Sequence, residues 1–393
     1  MTDARIYLDH NATSPVRPEV AHAVARALMR GGNPSSIHAE GRRARALVEE
    51  SREAVAAIAG AEARNVIFTS GATEALNLAL TPSLQAPGQG GEDRRPWHLF
   101  VSATEHAAVL SGHRFPAESV TVLPVARDGG IDLDALARAM DERPDVRPLV
   151  ALQLANNETG VVQPVAKAAE LIHARGGLLV CDAVQAAGKI PVDIGTLGAD
   201  LIAVSAHKIG GPAGVGALIR AREDIHIAEP MVRGGGQEKG LRSGTENISG
   251  IAGFGAAVKA ALAMLNDEAG RLDALRSALE AHLREIEPAT VVFGEGAARL
   301  PNTVFFSMPG FAAETAVIAL DLAGFSVSGG SACFSGKTKT SHVLEAMGVE
   351  PDIAKGMLRV SFGWTTRAQD IDQFVEAVRR LRTSPAAGKT LAA

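Results

Sequence analysis

The stretch LIAVSAHKIGG, residues 201–211, opens with five apolar or small residues and closes on a histidine, a lysine and two glycines. An apolar run of that length without polar alternation suits a strand buried on both faces of a sheet. The polar, glycine-containing end marks where that strand leaves the sheet. Five similar runs precede it, at 66–69, 99–102, 120–123, 149–154 and 178–181, each followed by a helical pattern. A seventh, 215–219, follows so closely that its strand is open to an antiparallel placement. Strands alternating with helices build a mostly parallel sheet covered on both faces. In such a sheet ligands collect outside the carboxyl ends of the strands, where Lys208 stands.

Helices are expected at 18–30, opened by a proline, and at 42–58. The glycine-rich stretch GGGQEKGLRSG, 234–244, leads into one long helical pattern, 248–286. Beyond it, strands near Val291, 304–306, Val327 and 358–362 interleave with helices at 313–322, 342–347 and 368–382, an α+β unit. The final SPAAGKTLAA is expected to be disordered.

Composition narrows the function classes. The chain has 393 residues, 46% of them hydrophobic, enough for two domains with sizeable cores. No apolar stretch approaches the roughly 18 residues of a membrane helix, and the charged N-terminus does not read as a signal peptide, so a cytoplasmic protein is expected. A net charge of -5 without long charge runs makes no case for nucleic acid or a membrane surface as partner. Two cysteines, Cys181 and Cys333, are too few for a disulfide framework. Lysines number 9 against 30 arginines, so each lysine in a special setting asks why arginine would not serve. GGSACFSGKT misses the phosphate-loop pattern by one position, and GGGQEKG misses the dinucleotide pattern. No paired-cysteine or H-E-x-x-H spacing suggests a metal site built by the protein alone.

Six places carry chemistry. Lys208 is either a surface lysine in a turn or an amine placed to form a Schiff base with a carbonyl cofactor, which arginine cannot do. Asp182, at the end of the 178–181 run, either caps the next helix or faces the ring nitrogen of a pyridine cofactor. In TSGATEALN, 69–77, a glycine turn opens a helix; Thr73 is an N-cap, part of a phosphate site, or both. His106 in TEHAAV is structural, or stacks on a planar ring and moves protons. Cys333, in a loop of glycines, serines and lysines, reads as an accessible thiol whose thiolate Lys337 and Lys339 would favour, whereas Cys181 reads as core. Arg359 in MLRVSFG is an exposed strand arginine or a clamp for a substrate carboxylate.

Taken in order, YLDHNATSPV, GNPSSIH, TSGATE, TEHAAV, ANNETGVVQP, CDAVQ, SAHKIGGPAGVGAL, RGGGQEKGLRSGTEN, SGGSACFSG and LRVSFG resemble the cysteine desulfurases of the NifS/IscS-like branch, class-V aminotransferases of fold-type I. The resemblance implies a fold-type I α/β chain that binds pyridoxal 5'-phosphate. Its large domain, 15–262, would hold a mostly parallel seven-stranded sheet; 1–14 with 263–384 would form a small domain, and 385–393 a tail. It implies that Lys208 holds the cofactor and shuttles the Cα proton. Asp182 would pair with the ring nitrogen, Gln185 with the phenolic oxygen, and His106 would stack on the ring and act as acid/base. Ala72, Thr73, Ser205 and His207 would bind the phosphate, with Thr245 reaching across from the second subunit of a homodimer. Asn157 and Arg359 would orient L-cysteine. Cys333 would take the sulfur as a persulfide, could transiently ligate a cluster, and would pass sulfur to an acceptor such as an iron–sulfur scaffold. The segment from Cys333 to the helix at His342 has the length of the NifS/IscS type, but FSGKTKTSH departs from the acidic, proline-containing segment of many relatives, which leaves the acceptor open. Lys337 and Lys339 are expected to help dock an acidic acceptor face. Rival readings are selenocysteine lysis or transamination on the same scaffold and, remotely, a non-catalytic binding platform.

Overall fold

The structure is a computed structural model that describes residues 5–86, 93–329 and 341–383. Strand β1 (Ile6–Tyr7) is followed by helices α1 (Pro18–Arg30) and α2 (Ala39–Ala57). Proline at the first turn and Gly31 at φ 62 bound α1 as expected. Helix α2 starts before the expected Arg42 because the His38 imidazole accepts the Gly41 N–H and caps it. Then come β2 (Val66–Thr69), α3 (Ala72–Ala79), β3 (Leu84–Gln85), β4 (Trp97–Ser102), α4 (Ala107–Leu110), β5 (Val120–Leu123) and α5 (Leu133–Asp141). They are followed by β6 (Arg147–Gln153), α6 (Val165–His173), β7 (Leu178–Asp182), α7 (Ile194–Leu197), β8 (Leu201–Ser205), β9 (Gly216–Arg220) and β10 (His226–Ile227).

Seven of these strands form one sheet in the order β2-β9-β8-β7-β6-β4-β5. Neighbours from β5 through β8 run parallel, and β9 runs antiparallel to both β8 and β2. The sheet is thus mostly parallel, and the expected place of the last run is met. Period-2 alternation sends Phe100, Leu152, Cys181 and Ile202 into one core, and Leu99, Val101, Val180 and Leu201 into the core on the opposite face. Cys181 is fully buried, as a packing residue would be. The outer edge of β2 is closed by side chains: Arg52 donates to the Val66 carbonyl at 2.9 Å, and Glu238 accepts the Phe68 N–H at 2.9 Å. Paired with each other at 2.7 Å, these two residues occupy the positions a further strand would use.

The single helix expected over 248–286 is instead two, α8 (Ile248–Ala263) and α9 (Leu265–Ile286), bent by 71°. Helix α8 is tied to the large sheet's helical layer: a side chain at Gly255 would meet Ser51 Cα of α2 at 3.0 Å. Helix α9 carries Leu272, Leu275, Leu279 and Leu283 into a different core, so the chain turns where one core ends and the next begins. That second core is covered by the antiparallel sheet β11-β12-β14, made of β11 (Val291–Val292), β12 (Thr303–Ser307) and, after α10 (Ala313–Leu322), β13 (Phe325–Ser326), α11 (His342–Ala346) and α12 (Pro351–Ala354), the strand β14 (Met357–Ser361). Helix α13 (Ala368–Thr383) closes it. The short strand β1 pairs with β13, and Leu8 packs into the same core, so the N-terminal strand sits with the C-terminal unit. The strand expected at Val327 pairs one step earlier, at 325–326. The pair β3–β10 is too short to show as a pattern in the sequence. Among the described residues no single helix is long and apolar enough to cross a membrane.

Candidate active site

The carboxyl ends of β6, β7 and β8 open into a cavity of about 560 Å³ where the two units meet. Ala72, Thr73, His106, Asn157, Asp182, Gln185, Ser205, His207, Lys208 and Arg359 all line it. Residues scattered from 72 to 359 are therefore gathered around one space, those behind the parallel strands as that topology requires and Arg359 from the middle of β14 in the second unit.

Lys208 closes a single 3-10 turn, Ala206–Lys208, directly behind β8. The turn is released by Gly210 at φ 82, a conformation that a side chain would strain. The Lys208 amine donates to the carbonyl oxygens of Asn11 at 2.6 Å and Ala12 at 2.9 Å, both from the N-terminal segment. It is held by neutral acceptors, so its proton is not locked to a carboxylate at those contacts.

Asp182 ends β7, and one of its oxygens accepts the Val184 N–H at 2.9 Å. It thus serves the local turn and faces the cavity. Burial pushes its pKa up, against the pull of that N–H and of the charges on His106 and Lys208. His106 caps α4 by accepting the Ala108 N–H at Nδ1, 3.1 Å. In the neutral ring the proton then sits on Nε2, and burial, the largest effect, lowers the pKa and favours that neutral form. His207 is likewise held down, to about 4, by burial and by Lys208.

Helix α3 starts at Gly71 with no side-chain cap; Thr73 does not cap it but sits in its first turn. Its leading N–H groups therefore face the cavity rim without a side-chain acceptor at the cap, a ready anion site. Glu74 holds the turn from outside, accepting the Ser70 N–H at 2.7 Å and pairing with Arg242 at 2.9 Å.

Arg359 is buried. It pairs with Asp9 at 2.8 Å and donates to the Asn157 carbonyl at 3.0 Å, while its buried Nε has no hydrogen-bond partner among the described residues. A buried guanidinium N–H without an acceptor is costly unless something enters the cavity to meet it. The backbone of Arg359 also pairs with Ser328 in an isolated bridge, two residues beyond β13. On the far side of 330–340, Ser341 hydrogen-bonds the Glu158 carboxylate and His342 Nε2 approaches the Glu105 carbonyl at 3.0 Å. Cys333, Lys337 and Lys339 lie outside the described residues; both flanks of their segment are anchored at this cavity.

Thr245 is not brought into the cavity of its own chain. It lines a neighbouring one of about 280 Å³ that shares Ser70 and Gly214 with the first. Sequence reasoning missed Asp9, Asn11, Glu105, Glu158, Lys189 and His342. The only signal was the polar triplet Asp9-His10-Asn11 behind an apolar strand, which says nothing of its distant partners.

The donor set fits a phosphorylated pyridine aldehyde: an amine for the carbonyl, a buried carboxylate for the ring nitrogen, an uncapped helix start with Ser205 and His207 for the phosphate, and a planar imidazole beside them. Residues 6–374 match the family described as Aminotransferase class-V. The chain is 39% identical over 384 residues to the cysteine desulfurase IscS of Dictyoglomus turgidum, covering 96% of this chain and 94% of that one. It is 38% identical over 377 residues to the IscS-like cysteine desulfurase of Mycobacterium tuberculosis, covering 95% of each. The solved structure of a NifS-like protein from Rickettsia africae superposes with a TM-score of 0.86 at 34% identity, covering 97% of this chain and 100% of that one.

Proposed function

This chain belongs to the class-V aminotransferase family and, within it, to the cysteine desulfurases; from that premise we propose how its own residues carry the reaction. The enzyme depends on pyridoxal 5'-phosphate and converts L-cysteine to L-alanine, the sulfur passing to Cys333 as a persulfide. The observation that carries the assignment of roles is the placement of Lys208 and Asp182 at the ends of adjacent strands in one cavity, beside the uncapped start of α3.

When bound, the cofactor supplies an electron sink that lets the substrate's Cα proton leave and its carbon–sulfur bond break. Lys208 would hold it and, as a free amine, would take and return the proton at the substrate's Cα. Asp182 keeps a proton on the ring nitrogen. Gln185 donates to the phenolic oxygen, and Ala72, Thr73, Ser205 and His207 bind the phosphate. Arg359 offers its Nε, which has no partner among the described residues, to the substrate carboxylate, with Asn157 beside it. His106, protonated at Nε2 when neutral, would donate there toward the substrate sulfur; to take the thiol proton it would have to free Nδ1 from the Ala108 N–H. The Cys333 thiolate attacks the substrate sulfur; the sulfur–carbon bond breaks, its electron pair stays with carbon, and protonation there gives alanine. The anchors at Ser328, Ser341 and His342 keep the ends of that segment at the cavity while sulfur travels onward.

The enzyme works as a homodimer in which Thr245 reaches the partner's phosphate site, supported by its place in a cavity adjoining Ser70 and Gly214. Residues 15–262 form the large domain, and 1–14 with 263–384 the small one, supported by Leu8 packing with α9 and β14. The reactive thiol suits a reducing compartment such as the cytoplasm, and an iron–sulfur scaffold or another sulfur acceptor would take the sulfur from it. One experiment tests the assignment. The purified protein should show a yellow chromophore that borohydride fixes onto Lys208, and added L-cysteine should leave a persulfide that mass spectrometry maps to Cys333. Sulfur on Cys181, or a colourless protein that takes up no cofactor, would refute it.

A further inference from the structure

Behind the cavity wall lies a second buried amine that the reaction does not use. Lys189 is 8% exposed, does not line the cavity, and donates to Gln185 Oε1 at 2.8 Å and to Asn11 Oδ1 at 3.0 Å. Burial first, then the charges of Lys208 and Arg359, hold its pKa well below the usual lysine range. A lysine kept there against that desolvation is expensive if its only role is to fill space.

Its neighbours form a chain in which every amide has one orientation. Asn302 Nδ2 donates to the Phe362 carbonyl at 3.0 Å, which fixes it as a donor, and donates again to Asn11 Oδ1 at 3.0 Å. Asn11 Nδ2 must then donate, and it does so to the Asn157 carbonyl at 3.2 Å and to Thr303 Oγ1 at 2.9 Å. With Asn11 Oδ1 fixed as an acceptor, Lys189 points an N–H at it and a second at Gln185 Oε1. Gln185 in turn donates Nε2 to the Asn11 main-chain oxygen at 2.9 Å, the carbonyl that also receives Lys208. Reversing the Gln185 amide would set its oxygen against that carbonyl. This holds whether Lys189 is charged or neutral, since either form has two N–H groups to give.

We propose that Lys189 is a positioning residue for the cofactor: by holding Gln185 Oε1 it makes Gln185 present an N–H to the cavity, where that N–H meets the phenolic oxygen of the ring. The inference rests on the role given to Gln185 above. An amide nitrogen has two hydrogens, and Asn11 takes one of them.

The test titrates the full-length cofactor-free protein with pyridoxal 5'-phosphate and with 3-deoxypyridoxal 5'-phosphate, which lacks the phenolic oxygen. Lys189→Met, Gln185→Ala and the double variant are compared with the wild type. Lys189→Met is expected to weaken pyridoxal phosphate about tenfold and the deoxy analogue by less than about twofold, with the double variant no worse than Gln185→Ala. Lys189→Arg, which keeps N–H donors, should recover part of the loss. Equal weakening toward both ligands, or none, overturns the proposal while Gln185→Ala still discriminates between them. If Gln185→Ala itself fails to discriminate, the role of Gln185 falls and this inference falls with it. Should Lys189→Met not fold, Lys189→Leu, which likewise carries no N–H donor, gives the same contrast in the same direction.

Discussion

Asn11→Ala isolates what joins the two units of this enzyme. The side chain of Asn11, 1% exposed, makes four hydrogen bonds: from Lys189, from Asn302, to Asn157 and to Thr303. Two of them, with Lys189 and Asn157, cross to the large unit, and two, with Asn302 and Thr303, hold Asn11 to its own unit, so truncation loosens the joint while leaving both cores intact. The main-chain contacts survive: the N–H still reaches Ser361 Oγ, and the carbonyl still receives Lys208 and Gln185. At about 1 kcal/mol net per hydrogen bond, four bonds are worth about 4 kcal/mol, and water entering the vacated space should return part of this, leaving a loss of about 3 kcal/mol. Trp364 reports on the joint, since its indole donates to the Pro15 carbonyl at 3.0 Å. The only other tryptophan, Trp97, sits on the far sheet and donates to the Leu84 carbonyl. Urea unfolding in a Trp97→Phe background, followed by Trp364 emission, should therefore show the loss as an earlier midpoint. The opening should come before the far-ultraviolet circular dichroism transition of the large sheet. A loss below about 1 kcal/mol, or a shift of both signals together, would refute the view that Asn11 bonds chiefly the joint.

Two further outcomes follow from the same site. Burial, with Asp182 nearby, raises the Glu105 carboxyl well above the usual range; Oε1 accepts the Gln153 N–H, and Oε2 has no partner among the described residues. A folded-state pKa raised above the unfolded value of about 4.3 leaves stability intact below that pH and erodes it as pH rises toward the folded value. Glu105→Gln, which keeps the oxygen facing Gln153, should therefore raise the melting temperature at pH 8 and leave it unchanged at pH 4; equal changes at both would contradict the assignment. Arg359→Met removes the guanidinium proposed for the substrate carboxylate, an interaction made in ground and transition states alike, so KM for L-cysteine should rise about ten- to a hundredfold with little change in kcat. A fall in kcat at constant KM would place Arg359 in a different role.

The local signals in the sequence proved sound where the physics is local. Val66–Thr69 and Leu201–Ser205 are strands because an apolar run with turn residues behind it has few other ways to hide its backbone. Of the ten cavity residues, Lys208, Asp182, Thr73 and His106 were legible because strand ends and helix starts in a parallel sheet fall on one rim, and Arg359 as a strand arginine; Ala72, Asn157, Gln185, Ser205 and His207 were named by the family resemblance alone. The helix expected over 248–286 broke in two because periodicity records that residues are buried, and not in which core; α8 serves the large sheet and α9 the second unit.

By itself, then, the sequence determined the sheet, the covering helices, the scarcity of lysines that singles out Lys208, and the contrast between a core cysteine and a loop cysteine. Only the tertiary structure decided that Asp9 holds Arg359, that Asn11 binds both units together, and that Lys189 stands behind Gln185. Those contacts join residues far apart in the chain, and a polar side chain carries no mark of its partner until burial removes water as the alternative.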